Sequence, residues 1–64
     1  MRIKYDKETD ILYISFIDTP VAESDEDKPG IILDYSAQGE IVGIEVLDAS
    51  KKMPFPTKLE YEIS

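Results

Sequence analysis

Residues Ile11 to Ile17 form an apolar run interrupted only by Ser15. At the two-residue period of a strand, one face carries Leu12, Ile14 and Phe16 and the other Ile11, Tyr13 and Ile17. Such a strand must be covered on both faces. A chain of 64 residues has little to cover it with. By surface scaling it buries about 60% of its unfolded area. That burial contributes on the order of 95 kcal/mol at ~25 cal/mol/Å², and ordering the chain at ~1.5 kcal/mol per residue costs about the same. The chain has no Cys and no His, so disulfides, thiolate zinc sites and the usual metal staples are excluded. Oligomerisation is the stabiliser left, and a homodimer is expected.

Nine Ile, three Val and three Thr make the chain β-rich. Arg2 to Tyr5 alternates, with Ile3 and Tyr5 on one face. Asp6 to Asp10 reads as a polar turn that the Asp6 side chain can close. Asp18-Thr19-Pro20 ends the second strand. The acidic segment Val21 to Pro29, with Glu23 to Asp27 at its centre, reads as either a loop or a polar edge strand. A further strand covers Ile31 to Tyr35, and another Glu40 to Leu47 with Val42, Ile44 and Val46 on one face. Asp48 to Lys52 reads as one helical turn capped by Asp48 or Ser50. Residues 51–57 form a Pro-containing connector presenting Phe55, and Lys58 to Ile63 alternates as a C-terminal edge strand. The expected fold is mainly β: one domain over residues 1–64, a small antiparallel β-meander of four to six short strands with at most one short helical turn near the C-terminus.

The hairpin register at Gln38-Gly39 has two readings. A two-residue loop places Leu33 and Tyr35 on the face of Val42 and Ile44. A three-residue loop with Gly39 as a bulge pairs Ser36 with Glu40 and moves Asp34 to the Val42 face. The first gathers more apolar residues on one side and is the one favoured.

Fourteen acidic against seven basic residues give a net charge of -7. Nucleic acid is not an expected partner, because phosphate binding needs clustered Lys and Arg. A basic protein partner fits the charge. No apolar run reaches the ~18–20 residues of a membrane span, and the opening Met-Arg-Ile-Lys-Tyr-Asp has no secretory apolar region. No membrane partner and a cytoplasmic location are therefore expected.

Candidate chemistry is sparse. Asp25, Asp27, Gly30 and Ile32 fit positions of a calcium loop, but Pro29 and Ser36 occupy ligand slots and no flanking helices are signalled. No metal and no cofactor are expected. Asp34 and Glu45 lie on neighbouring strands and can approach across the sheet, offering the only paired carboxylates for acid–base work. A sheet this small offers little of the roughly 300 Å³ that a substrate cleft needs. No catalytic residue is assigned, and a non-enzymatic role is expected. Tyr5, Tyr13, Tyr35 and Tyr61 lack a basic groove and read as packing residues rather than base-stacking platforms.

Two blocks in order, Ile3-Lys4-Tyr5-Asp6 with Glu8, Asp10 and Leu12-Tyr13-Ile14, then Pro29 to Tyr35, Gly39 and Val42 to Ser50, resemble the prokaryotic family catalogued as domain of unknown function 2283. The resemblance spans about the first fifty residues. It implies no catalytic or binding positions. Members encoded beside small toxin-like proteins suggest an antitoxin-like role. The functional expectation is thus a small acidic protein-interaction module, dimeric, binding a basic partner. The alternatives are a homodimer holding a small ligand between subunits and a carboxylate-dependent hydrolase.

Overall fold

The structure is a computed structural model and describes residues 1–54 and 56–64. The connector's Phe55 lies outside the described residues. Five strands form one antiparallel sheet: β1 (Arg2–Asp6), β2 (Ile11–Ser15), β3 (Glu23–Lys28), β4 (Ile31–Tyr35) and β5 (Ile41–Leu47), followed by one helical turn, α1 (Ala49–Lys52). This is the expected class of fold. Across the sheet the order is β1-β2-β5-β4-β3, so the last strand slots between β2 and β4.

Local chemistry accounts for each connection. Asp6 Oδ1 accepts from the backbone N–H of Glu8 at 3.0 Å, closing the β1–β2 turn as its sequence suggests. The second strand stops at Ser15 rather than Ile17. Phe16 and Ile17 enter a crossover, 39% and 40% exposed, that runs past the ends of β5 and β4. Backbone bonds from Phe16 N–H to Val42 O and from Ala22 N–H to Tyr35 O, both 2.8 Å, hold that crossover down. The acidic segment is an edge strand: all six residues of β3 are exposed.

Between β4 and β5 the loop has three residues, with Ser36 N–H bonded to Glu40 O at 2.8 Å and Gly39 at φ 84. The favoured two-residue loop is therefore corrected. Ser36 Oγ, itself buried, accepts from the N–H groups of Gln38 and Glu40, both at 3.2 Å, which fixes the longer turn. The expected flip of Asp34 does not follow, because a bulge resets the register. Tyr35 faces Ile41 but Asp34 faces Gly43, leaving Val42 as the extra residue. Leu33 still pairs with Ile44, and the apolar side chains stay together.

One face consequently collects Ile3 and Tyr5 of β1, Leu12 and Ile14 of β2, Ile44 and Val46 of β5, and Ile31 and Leu33 of β4. Among the described residues only Val42, Val46 and Ala49 are buried apolar side chains, and none of the large ones is fully buried. Extensive element contacts run only between neighbouring strands. The helical turn sits at one end of the sheet and does not roof it. The accessible surface, 5119 Å², exceeds by about 900 Å² the roughly 4,200 Å² expected for a folded chain of 7.3 kDa.

The C-terminal edge strand expected over Lys58 to Ile63 takes no place in the sheet of the single chain. Residues 58–64 carry no regular structure, and Leu59, Tyr61 and Ile63 are 65%, 71% and 81% exposed.

Candidate functional site

The other face of the sheet is polar at its middle. Asp34 of β4 faces Gly43 of β5, and Glu45 lies two residues along on the same face, the diagonal neighbour across the strand pair. Because Gly43 has no side chain, Asp34 meets no side chain directly opposite it on β5. Asp34 is buried, and Ser24 of β3 donates its hydroxyl to Asp34 Oδ1 at 2.7 Å. Burial raises the Glu45 carboxyl above its ordinary value of 4.5, and a hydrogen bond to Asp34 together with the Asp34 charge raises it further. The raised Glu45 carboxyl keeps its proton to higher pH than a free one. This is the juxtaposition the sequence suggested for Asp34 and Glu45.

The sign of the pH dependence follows. A carboxyl raised in the folded state contributes stability that is fully present below its unfolded value and is lost as pH rises through the folded value. Glu45→Gln keeps a donor toward Asp34 and removes the charge. At pH 7 the variant is expected to melt above the parent, and the two should converge below about pH 4. Thermal melts across that range check it, and an equal or lower melting temperature at pH 7 would contradict the raised Glu45 carboxyl.

The geometry at the pair does not form a cleft. Two surface hollows, about 270 and 210 Å³, lie over Arg2 and Ser15, and neither is lined by Asp34 or Glu45. The calcium-loop candidates Asp25 and Asp27 stand on β3, in extended chain, not in a loop. Glu26 between them is bonded instead to the Gly30 N–H at 2.7 Å. Among the described residues no three acidic side chains converge as a metal site.

The sequence reading missed the second polar cluster. Asp10 sits at φ 57 at the end of the β1–β2 turn. It accepts from Tyr5 Oη at 2.6 Å, from Ser50 N–H at 2.9 Å and from Ser50 Oγ at 2.6 Å, while its carbonyl accepts from Ala49 N–H at 2.9 Å. Thus α1 is capped by a residue forty positions upstream. Asp48 takes the N-cap position but makes no side-chain cap bond, and Ser50 is the capped residue, not the cap. The Ser50 hydrogen bonds, with that from Tyr5, hold the Asp10 carboxyl below its usual range, and the bond to Asp10 raises the Tyr5 hydroxyl. The cluster fastens the helical turn to the first hairpin, which is a structural task.

The remaining exposed feature is the outer edge of β3. Its inner side is paired to β4, and its outer side has no neighbouring strand. Glu23, Asp25, Glu26 and Asp27 project from a free backbone edge, with Lys28 at its end. No described helix is long and apolar enough to cross a membrane. No curated protein and no solved structure matches the chain. Residues 2–50 match the family described as protein of unknown function (DUF2283). That match begins with β1 and ends inside α1, taking in the whole sheet and the Asp10–Ser50 fastening, and on it the chain belongs to the DUF2283 family.

Proposed function

We propose that this chain is a non-catalytic, dimeric protein-interaction module whose acidic edge strand receives a basic partner protein, in the manner of an antitoxin. The observation that carries the reading is β3. A sheet edge with four carboxylates and an unpaired backbone repels its own copies and suits an added strand or loop rich in Lys and Arg. Backbone bonds would supply affinity and the carboxylates would supply choice of partner and rate of encounter. The net charge of -7 favours the same class of partner.

The exposed surface supports the dimeric part of this reading. Each chain leaves about 900 Å² more exposed than a compact chain of its size, close to the roughly 800 Å² that each partner buries in a standard interface. The apolar face of a second copy fits that area and leaves both acidic edges outward. A cytoplasmic setting is consistent with such a role.

Capture from a lysate of the source cells tests the proposal when run in parallel with the edge variant Asp25→Lys/Asp27→Lys. A basic protein held by the parent in low salt, released by raised salt and absent from the variant is the expected result. Parent and variant retaining the same proteins would contradict it.

A further inference from the structure

Resting on the dimeric reading, we infer that the C-terminal segment of one copy adds as an antiparallel strand to the free edge of β1 in the second copy, with Tyr61 opposite Ile3. The sheet has two open edges, β1 and β3. On β1, Ile3 and Tyr5 point to the apolar face, whereas Arg2, Lys4 and Asp6 point to the other. The segment Lys58 to Ile63 alternates in the same way, with Leu59, Tyr61 and Ile63 against Lys58, Glu60 and Glu62. Lys58 Nζ lies 3.5 Å from Glu60 Oε1, which places those two charges on one side of the segment.

Among antiparallel alignments only one satisfies every position. With Tyr61 opposite Ile3, Leu59 falls opposite Tyr5 and extends the apolar face. Glu62 then meets Arg2, Glu60 meets Lys4 and Lys58 meets Asp6, three opposite-charge pairs in a row. The β3 edge offers the reverse. There Glu60 and Glu62 would face a strand with four carboxylates. Exchange between copies, rather than return to the same sheet, is favoured by the single chain, in which residues 58–64 take no place in the sheet. The apolar side chains of that segment, Leu59, Tyr61 and Ile63, stay largely exposed there. Reciprocal exchange of one strand is a closed, two-fold arrangement.

Charge-swapped chains test this in trans. One chain carries Glu60→Lys and Glu62→Lys, and the other carries Arg2→Glu and Lys4→Glu. All four positions are exposed, so both chains keep the fold. Alone, each is expected to dimerise roughly tenfold or more weakly than the parent. Mixed, they should form a heterodimer of parental affinity, because each edge then meets a tail of opposite sign. The chain has no cysteine, so Lys4→Cys in one copy and Glu60→Cys in another should give an interchain disulfide on oxidation. Unchanged dimerisation of the separate swapped chains would overturn the exchange while leaving the dimer intact. Weakening without rescue on mixing, or no heterodisulfide, would also overturn it. A monomeric parent would instead remove the dimeric reading and the exchange with it.

Discussion

Gly43→Ala is expected to lower the melting temperature by about 10 °C or more. Gly43 is buried in the middle of the central strand, between β2 and β4. A methyl group added there would lie 2.6 Å from the carbonyl oxygen of Ile14 and 3.5 Å from the Cα of Ser15. Those are backbone atoms of the neighbouring strand, so relief requires β2 and β5 to separate where Phe16 N–H bonds to Val42 O. The bulge at Val42, one residue earlier, has already used the local freedom of the strand. Gly39→Ala is the comparison. It sits at φ 84 with nothing within 4 Å of the added atom, so it meets strain without collision and should cost only about 1 kcal/mol. Thermal unfolding by circular dichroism ranks the two, and equal losses would contradict the close approach of β2 and β5.

Ile14→Asp is expected to leave the chain unfolded at micromolar concentration. Ile14 sits on the apolar face between Ile3 of β1 and Ile44 of β5. In a single chain it is only half-buried, and a carboxylate there would reach water, at a cost of roughly 1–2 kcal/mol of lost apolar burial. Beneath a second sheet the same carboxylate is desolvated without a partner, which costs about 3 kcal/mol or more. In the proposed dimer folding and association are linked, so the variant should lose both together. A folded, monomeric Ile14→Asp chain would show that the face needs no cover. Phe16, once expected on the same face, lies in the exposed crossover and should tolerate Asp far better.

The parts of this fold that alternation can encode were legible. Arg2 to Tyr5, Ile31 to Tyr35 and the residues up to Leu47 declare their strands by period, and Ser36 to Gly39 declares its turn by chemistry. β3 was open between loop and strand because an edge strand exposed on both faces has no apolar period to show. The loop length at Gln38-Gly39 was misread for a different reason, although Leu33 pairs with Ile44 as the favoured reading has it. Ser36 chose the longer loop through two backbone bonds, and the bulge at Val42 then cancelled the flip, an event that counting residues around a turn does not contain. The Asp34–Glu45 pair was visible because a single strand pair brings it together. Asp10 and Ser50 were not, since their meeting depends on β5 entering the sheet beside β2, and strand order is set by the whole fold rather than by either segment.

The apolar run at Ile11 to Ile17 and the thin core lead to one claim, that the sheet is completed by a second copy. Sedimentation equilibrium at low micromolar concentration, paired with circular dichroism on the same sample, measures it directly. The expected result is a folded species of twice the 7.3 kDa chain mass that loses its β signal as dilution dissociates it. A fully folded 7.3 kDa monomer at that concentration would contradict it.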